Sequence, residues 1–477
     1  MNLTLKEYIR KVQVWELIPE NVLDHYFKKA KERNLDLFSF VRFHEDYANK
    51  NIHDFKSRPL KAAPIWIKDI ILTQWYISSC ASRMLEDFVS PYSATCFKNL
   101  ENAGGLMMGK TNMDEFAMGS ATVNSYFGKT RNPYGKDRVP GWTSGGSAAA
   151  VAADMCIAAL GTDTWWSIRQ PSSLCGVVWL KPTYGRVSRF GVQAMTSSLD
   201  QVWPITKTVE DNLILLKAIA WFDSNDATSS KIDDYKLMDD AMQIQSLKNF
   251  KIALPKQYFD EWLDPKVKEV ILNAVEEAKK LGAQVDWIDF PLLKYALATY
   301  YIISPAEVST NLARFDGIRF GYQENTFDYD SIYEYYAKVR AEWFGPEAKR
   351  RIVIWTYVLS AGYYDAYYVR AQKVRKKLKM EFNKIFGDYD LILWPVSPTV
   401  AWGLDDKNDN PLSEYLADIY TITINLMGLP AMSLPVGFAE DKWEDMPVWL
   451  HIIANQRDEY KIYGFANLME KTLKIWK

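Results

Sequence analysis

Residues 141–191 decide the fold class, and they read GWTSGGSAAAVAADMCIAALGTDTWWSIRQPSSLCGVVWLKPTYGRVSRFG. Small and hydroxyl-bearing residues form a loop at 141–147, a helix-forming stretch follows, and a second hydroxyl-rich loop ends at Ser167. Short apolar runs recur within and around this segment, such as APIWIKD from residue 63 and LCGVVWLKP from residue 174. Apolar runs that alternate with helical stretches and Gly/Ser-rich turns predict an α/β fold.

The pattern changes on either side of this alternating region. Residues 1–55 carry apolar residues at three- and four-residue spacing, which predicts a short helical N-terminal segment. After residue 205 helices dominate, among them a periodic stretch from Asp264 that is closed by Gly282. Buried strands are predicted at KIALP and YDLILWP. The chain shows no internal repeat and no low-complexity linker, so the sequence predicts a single domain over residues 1–477.

Composition excludes several classes of protein. Apolar residues make up 48% and charged residues 24%, and a net charge of −2 excludes a chain that grips nucleic acid by bulk positive charge. Four cysteines lack CxxC spacing and only four histidines occur, so we expect neither a disulfide framework nor a metal site. The sequence has neither a run of 18 uncharged apolar residues nor an apolar signal-peptide core. We therefore expect a cytoplasmic protein that makes no membrane contact.

The hydroxyl-rich loops are typical of a serine nucleophile, which needs a base to take its proton and backbone N–H groups to hold the oxyanion. None of the four histidines lies between residues 54 and 450, which disfavours a Ser-His-Asp triad. Lys68 ends the apolar run PIWIK, where burial can lower the pKa of an ammonium until it loses its proton. A Ser–Lys arrangement is therefore the candidate chemistry.

These residues closely resemble the motifs of the amidase signature family, which has a GGSSGGS stretch, a later GGS loop and an upstream lysine in an I-K-D motif. The resemblance implies that Ser167 is the nucleophile and Lys68 the base. It also implies that Thr143, 24 residues before Ser167, carries the hydroxyl that relays the proton. Because the family has a serine where this chain has Thr143, Ser144 is the second candidate for the relay.

Longer motifs are similar to one branch of that family, which supplies the amidase component of glutamyl-tRNA(Gln) amidotransferases. The motifs are GKTNMDEFAMGS at 109–120, SSLDQV at 197–202, STNLARFDGIRFGY at 309–322, SAGYYDAYY at 360–368 and NLMGLPAMSLPVG at 425–437. The resemblance implies a mixed central sheet flanked by helices, with catalytic motifs in residues 60–205 and substrate recognition in residues 206–477. It also implies that Tyr300, Arg351 and Asp418 recognise glutamine, with an arginine for the α-carboxylate and an aspartate for the α-ammonium.

The function implied by the resemblance is that of a glutaminase that supplies ammonia to a partner. The backbone N–H groups of Thr164, Trp165 and Trp166 would hold the oxyanion. Amidotransferase subunits B and C are the implied partners. The partner that receives the ammonia activates Glu-tRNA(Gln) with ATP and Mg²⁺, and a small third subunit braces the pair. No cofactor is expected in this chain itself, and its near-neutral charge agrees with tRNA binding by the partner.

Tryptophan departs from the family pattern throughout the chain. The sequence holds 18 Trp against 23 Gly, although glycine is usually ~7% of residues. Fourteen of the tryptophans fall where the family has glycine, and we refer to them as the fourteen tryptophans: Trp66, Trp75, Trp142, Trp165, Trp166, Trp179, Trp203, Trp221, Trp262, Trp343, Trp355, Trp394, Trp443 and Trp449. Bulk in such packed sites costs ~1–3 kcal/mol each. Our hypothesis is that the gene uses UGA as a glycine codon.

Other interpretations stay open at this point. Lys68 can be a strand-end lysine, Ser167 a helix N-cap, and the three glutamine-recognition residues structural ones. A free-standing amidase on another small amide would share the triad and the fold, and would be active without partners. A catalytically dead scaffold would require real tryptophans at 142, 165 and 166. The choice between Glu-tRNA(Gln) and Asp-tRNA(Asn) lies in the partner.

Overall fold

The structure, a computed structural model, describes residues 1–119, 121–164, 167, 169–260, 262–323, 329–358, 364–404, 411–442 and 444–475. Within these ranges eleven strands form one sheet. The strands are β1 (Phe40–Phe43), β2 (Ala63–Lys68), β3 (Gly105–Thr111), β4 (Ala158–Asp163), β5 (Val178–Lys181), β6 (Gln201–Thr206), β7 (Lys251–Pro255), β8 (Gln284–Ile288), β9 (Leu391–Pro395), β10 (Ala431–Asp441) and β11 (Glu444–Ile453).

Helices cover the sheet. They are α1 (Leu5–Gln13), α2 (Pro19–Leu37), α3 (Glu45–Phe55), α4 (Thr95–Asn102), α5 (Gly145–Ala152), α6 (Arg169–Cys175), α7 (Val209–Ile219), α8 (Tyr235–Ala241), α9 (Pro265–Lys280), α10 (Ala296–Leu312), α11 (Ile332–Trp343), α12 (Pro346–Val358), α13 (Arg370–Asp388), α14 (Pro411–Met427) and α15 (Glu459–Leu473). Short 3₁₀ turns lie at Arg83–Leu85, Glu115–Ala117, Lys256–Tyr258 and Pro291–Tyr295, and Tyr364–Val369 is π-helical. None of these described helices is long and apolar enough to cross a membrane.

The sheet is mixed, with the strand order β1-β3-β2-β4-β6-β5-β10-β11-β9-β7-β8. Strand β2 is parallel to β3 and β4, and β7 is parallel to β8 and β9. The remaining neighbours are antiparallel. This architecture confirms the expected mixed central sheet flanked by helices, and β7 and β9 confirm the strands predicted at KIALP and YDLILWP.

Residues at the ends of α7 and α9 explain where these helices begin and where α9 ends. Thr208 caps α7, because its hydroxyl oxygen accepts a hydrogen bond from the backbone N–H of Asp211 at 3.1 Å. Asp264 caps α9 in the same way through the N–H of Lys266 at 2.7 Å, and Pro265 occupies the first helical position. The chain leaves α9 at Gly282, whose φ of +104° is accessible to glycine at little cost.

Residues 1–55 differ in one respect from the predicted helical segment. They form α1, α2 and α3, but Phe40–Phe43 is a strand, β1, that pairs antiparallel with β3. Four residues are too few to show the alternation that distinguishes a strand from a helix turn. This pairing makes the N-terminal segment part of the central sheet.

Strands β2 and β4 place the site at one edge of the sheet. Both are buried along their whole length, and they run parallel with Ile67 beside Leu160. Strand β2 ends at Lys68 and β4 ends at Asp163, so the two polar ends meet at the same edge. Helix α5 packs against both strands and begins at Gly145, so the last three residues of the predicted loop at 141–147 are helical. The carboxyl ends of parallel strands in α/β sheets are the usual place for a ligand.

Several of the fourteen tryptophans lie in the core of this sheet. Trp66, Trp179, Trp203 and Trp449 are buried, and their indole N–H groups have no hydrogen-bond partner among the described residues. A buried donor left unpaired costs ~1–3 kcal/mol. Trp394 is the contrasting case, since its indole N–H donates to the carbonyl of Tyr420 at 2.7 Å.

The remaining positions lie in loops, in helices or outside the described residues. Trp142 precedes α5, Trp343 ends α11 and Trp355 lies in α12. Trp75 is exposed and has a φ of 68°, a conformation that favours glycine. Trp221 and Trp262 are also exposed. Trp165, Trp166 and Trp443 lie outside the described residues. Unpaired buried indole N–H groups and a positive φ are both unfavourable for tryptophan.

Candidate active site

Lys68 lies at the centre of a buried polar cluster at the end of β2. Its Nζ is 2.8 Å from Thr143 Oγ1 and 2.7 Å from Ser144 Oγ. Nζ also donates to the carbonyl of Thr162 in β4 at 3.2 Å. Lys68, Thr143 and Ser144 are all fully buried. The structure thus brings the predicted base together with both candidate relay hydroxyls.

Burial lowers the pKa of Lys68 to about 7. Desolvation is the largest cause, because a charged ammonium loses its water in the interior. The carboxylates of Asp163, Asp114 and Asp200 act in the opposite direction and keep the pKa from falling further. A lysine with this pKa is substantially neutral at physiological pH and can accept a proton.

The two hydroxyls beside Lys68 differ in their other partners. Ser144 Oγ donates to the carbonyl of Thr162 at 3.0 Å, so its proton is already engaged and it accepts from Lys68. The Thr143 hydroxyl has Lys68 as its hydrogen-bond partner among the described residues. Thr143 is therefore the hydroxyl that is free to pass its proton to the amine.

Two glycines allow this loop to approach its neighbours closely. A Cβ on Gly146 would lie 2.4 Å from the carbonyl oxygen of Asn112 and 2.7 Å from that of Ser39. A Cβ on Gly145 would lie 2.3 Å from Thr122 Oγ1. All three distances are too short for a Cβ, so packing requires glycine at both positions of the GG pair.

Ser167 lies directly beside the relay residues. Its carbonyl oxygen accepts a hydrogen bond from the backbone N–H of Ser144 at 2.8 Å. The Ser167 side chain is buried, and its Oγ has no hydrogen-bond partner within the described ranges. Thr164, three residues earlier, is also buried. Trp165 and Trp166, which were predicted to complete the oxyanion hole, lie outside the described residues.

A buried ion pair secures the two ends of the Ser167 loop. Arg169 lies 3.3 Å from Asp163, and both side chains are fully buried. Asn425 at the end of α14 joins them, because its Nδ2 donates to Asp163 at 2.9 Å and to the carbonyl of Thr164 at 2.8 Å. Sequence reasoning did not identify this network. The one indication in the sequence was that Asp163 and Arg169 are charged although most residues around them are small or apolar.

Asp114, within the motif at 109–120, holds the loop that precedes Thr143. Its carboxylate accepts hydrogen bonds from the backbone N–H groups of Thr122 at 3.0 Å and Asn124 at 2.9 Å. Thr122 Oγ1 in turn lies 2.6 Å from the carbonyl of Trp142. The sequence alone gave this motif no role, and the structure shows that it shapes the loop beside the site.

The three residues predicted to recognise substrate come together on three packed helices. Tyr300 lies on α10, Arg351 on α12 and Asp418 on α14, and α10 contacts both of the other helices. Burial raises the pKa of Tyr300 well above its usual value, and the charges of Arg351 and Asp418 both act on it. Burial raises the pKa of Asp114, and the positive charges of Arg351 and Lys68 both oppose that rise. The recognition residues and the lysine cluster therefore interact with the same carboxylate.

Two further residues orient the charged members of this group. Tyr301 donates its hydroxyl proton to the Asp418 carboxylate. Glu347, one helical turn before Arg351, accepts from Arg351 Nε at 2.5 Å. Sequence reasoning identified neither residue. Two features of the sequence could have indicated them: Tyr301 directly follows Tyr300, and Glu347 lies four residues before Arg351, the spacing of one helical turn.

The geometry suits hydrolysis of an amide. A near-neutral lysine, a relay hydroxyl and a serine with a free hydroxyl provide the base and the nucleophile for acyl transfer. A separate cluster of an arginine, an aspartate and a tyrosine can bind a zwitterion.

Comparison with known proteins agrees with this geometry. The chain is 46% identical to the A subunit of glutamyl-tRNA(Gln) amidotransferase of Nitrosococcus oceani over 97% of this chain and 96% of that protein. It is 44% identical to the protein of the same name from Halothermothrix orenii, over 99% and 98% of the two chains.

Solved structures show the same fold. The crystal structure of the A subunit of glutamyl-tRNA(Gln) amidotransferase from Thermotoga maritima matches with a TM-score of 0.79 at 37% identity, over 98% of this chain and 94% of that one. A 6-aminohexanoate cyclic dimer hydrolase shares the fold with a TM-score of 0.85 at 20% identity, over 99% and 97% of the chains. The sequence profile described as Amidase matches residues 22–462. The chain therefore belongs to the amidase family.

Proposed function

We propose that this chain is the glutaminase component of a tRNA-dependent amidotransferase, which hydrolyses glutamine and supplies ammonia to a partner. The observation that carries the proposal is the contact of the buried Lys68 amine with the Thr143 hydroxyl at 2.8 Å. Ser167 lies beside these groups, and its hydroxyl has no hydrogen-bond partner in the described chain. The names and the high coverage of the relatives support the glutamine-dependent branch of the family.

The proposed reaction uses Ser167 as the nucleophile, Thr143 as the relay and Lys68 as the base. Lys68 accepts the proton of Thr143, which takes the proton of Ser167, and Ser167 Oγ forms a bond to the side-chain amide carbon of glutamine. Backbone N–H groups of Thr164, Trp165 and Trp166 hold the oxyanion. The carbon–nitrogen bond breaks as the proton returns to the leaving nitrogen, and ammonia departs. Water, activated by the same relay, then hydrolyses the acyl-enzyme to glutamate.

Substrate recognition uses the second cluster. Arg351 binds the α-carboxylate of glutamine and Asp418 binds its α-ammonium, and both charges act on the pKa of the Tyr300 phenol. The contacts of Glu347 with Arg351 and of Tyr301 with Asp418 hold both charged groups in place before the substrate arrives. Preorganised charges of this kind lower the entropic cost of binding.

The partners carry the rest of the proposed reaction. Amidotransferase subunits B and C would assemble with this chain in the cytoplasm, and the partner that receives the ammonia would use ATP and Mg²⁺ on Glu-tRNA(Gln). The net charge of −2 supports tRNA binding by the partner. No cofactor is proposed for this chain itself.

The function is tested by purifying the chain with and without its partner subunits. We expect release of glutamate from glutamine, and conversion of Glu-tRNA(Gln) to Gln-tRNA(Gln), to require the complex. Rapid hydrolysis of other small amides by the isolated chain would support a free-standing amidase instead. No amide hydrolysis by chain or complex would indicate a scaffold.

Lys68 gives the reaction a pH dependence. Its pKa of about 7 means that the neutral, basic form predominates above that pH, so kcat/KM should rise with pH and level off above about 7. Lys68→Ala should lose ~10²–10⁴-fold in kcat. Lys68→Arg should remain inactive, because arginine stays protonated. A pH profile and an assay of both variants check this, and an active Lys68→Arg variant would refute proton transfer.

The two neighbouring hydroxyls can be separated by mutation. Thr143→Ser keeps the relay and should stay active within a few-fold, whereas Thr143→Val keeps the shape and should lose ~10²-fold or more. Ser144→Ala is the matched control, since its proton is bonded to the Thr162 carbonyl and its loss should have a much smaller effect. Equal rates for Thr143→Val and Thr143→Ser would move the relay away from Thr143.

We also propose that glycine occupies the fourteen tryptophan positions in the native protein, through UGA read as glycine. The unpaired buried indole N–H groups of Trp66, Trp179, Trp203 and Trp449 support this. Mass spectrometry of the protein from its native source would decide the identity of each residue directly.

A further inference from the structure

Asp200 is a buried carboxylate next to the site to which the proposed reaction gives no role. It lies directly before β6 with 6% of its surface exposed. Its Oδ1 accepts hydrogen bonds from Thr164 Oγ1 at 2.6 Å and from the backbone N–H of Thr196 at 3.1 Å. Its Oδ2 accepts from the N–H of Met195 at 2.9 Å. One side chain therefore joins two separate segments of chain.

The first segment is the start of the loop that leads to Ser167. Thr164 is held through its side chain by Asp200 and through its carbonyl by Asn425 Nδ2 at 2.8 Å. With both groups held, the backbone at Thr164 has a single orientation. Oxyanion donors act only when they are fixed in advance at the position where charge develops.

The second segment leads to the substrate-recognition helix. Thr196 Oγ1 lies 2.9 Å from Ser304 Oγ, and Tyr300 donates its hydroxyl proton to the same Ser304 Oγ at 2.9 Å. Both serine and tyrosine belong to α10. A continuous chain of hydrogen bonds thus runs from Thr164 through Asp200 and Thr196 to Tyr300.

The charges around Asp200 agree with a role as a fixed acceptor. Burial raises the pKa of Asp200 to about 6, while its three hydrogen bonds and the charge of Arg189 oppose this. Lys68 and Tyr300 face the same carboxylate, since it contributes to the pKa of each. The group therefore remains an acceptor for all three donors at neutral pH.

We propose that Asp200 is a positioning residue. It holds Thr164, the first residue of the loop that leads to Ser167 (the oxyanion loop), in a fixed position relative to Tyr300 in the substrate site. This inference rests on the proposed function for the identity of the substrate. The role given to the loop is the same for any substrate that acylates Ser167, because every such reaction forms an oxyanion there.

The test compares Asp200→Asn, Thr164→Val and Thr164→Ser in the complex. Asp200→Asn puts an amide N–H₂ in place of one acceptor oxygen, and Thr164→Val removes the hydroxyl donor. Both should lower kcat for glutamine by ~10²-fold, the range for loss of an oxyanion donor, with KM changed less than about threefold. Thr164→Ser keeps the donor and should restore kcat to within a few-fold of the parent.

Asp223→Asn is the matched control. Asp223 is also a buried carboxylate, 6% exposed, and accepts from the hydroxyls of Thr95 at 2.5 Å and Ser188 at 2.6 Å. Within the part of the chain that the structure describes, it makes no hydrogen bond to a site residue. It should lower Tm and leave kcat of the folded enzyme unchanged. If Asp200→Asn and Thr164→Val behave like Asp223→Asn, the positioning role is wrong.

A second readout separates this inference from the proposed function. The inactivation rate of Ser167 by a fluorophosphonate reports the oxyanion loop without any amide substrate, because the phosphoryl oxygen takes the oxyanion position. Asp200→Asn should slow it by ~10²-fold and Thr164→Ser should not. A parent that reacts with the probe but ignores glutamine would refute the proposed function while this comparison still decides the role of Asp200. Equal probe rates for parent and Asp200→Asn would overturn it.

Discussion

Ser167→Ala is expected to abolish glutamine hydrolysis while leaving the fold intact. In the protein with glycine at the fourteen tryptophan positions, kcat should fall by at least ~10⁴-fold, because no acyl-enzyme can form. The Ser167 hydroxyl has no hydrogen-bond partner among the described residues, so its removal orphans no neighbouring group. Tm should therefore stay within about 2 °C of the parent. Steady-state glutamate release and thermal unfolding of the same preparation measure both quantities.

Ser147→Ala is a matched control with the opposite signature. Ser147 lies on α5 close to the site, and its hydroxyl bonds Thr111 Oγ1 at 2.6 Å and the carbonyl of Leu160 at 3.2 Å. Its loss leaves a buried hydroxyl and a carbonyl short of a partner, so stability should fall by ~1–3 kcal/mol while kcat stays within a few-fold. Glutamine hydrolysis near the parent rate in Ser167→Ala would remove Ser167 from the mechanism.

The sequence was sufficient to predict the fold class and the burial of Lys68. Strand β2 is a run of six residues, buried throughout, that is apolar up to Lys68 at its end. Burial alone then lowers the pKa of the amine. The short strand β1 was not predicted, because four residues are too few to show the alternation that distinguishes a strand from the helices on either side.

The network around the Ser167 loop could not be predicted in this way. Asn425 is 262 residues from Asp163 in the chain, and Tyr301 is 117 residues from Asp418, so no spacing within one element indicates either contact. The choice between Thr143 and Ser144 also needed coordinates. Both hydroxyls reach Lys68, and only the bond from Ser144 to the Thr162 carbonyl separates their roles.

Protein made with tryptophan at every one of the fourteen positions is expected to be insoluble or inactive. Four buried indole N–H groups without partners in the described chain would together cost several kcal/mol at ~1–3 kcal/mol each. A whole domain is stable by only ~5–15 kcal/mol. The ring of Trp66 is stacked on that of Phe40 with centroids 3.7 Å apart, so the side chains are tightly packed at this point of the sheet.

Four versions of the complex test this. They carry tryptophan at all fourteen positions, glycine at 142, 165 and 166 alone, glycine at all fourteen, and glycine at Trp15 and Trp287 alone. We expect full solubility and activity only with all fourteen glycines, because the three loop changes leave the orphaned indoles of Trp179, Trp203 and Trp449 in the core. Trp15 and Trp287 are exposed, at 90% and 47%, so their replacement removes no buried indole and should not restore solubility or activity. Trp15 has a φ of 61°, close to that of Trp75, so this version also controls for backbone strain alone.

The comparison of versions separates a steric effect at the nucleophile from strain in the core. If the three loop glycines restore solubility and glutamine hydrolysis by themselves, the buried indoles are tolerated and only bulk beside Ser167 matters. If the all-tryptophan protein is as soluble and as active as the all-glycine one, tryptophan is compatible with the fold, and the proposal that UGA encodes glycine loses its physical support. Soluble yield, Tm and glutamate release from each version decide between these outcomes, because strain in the core lowers the first two and blockage of the site lowers only the third.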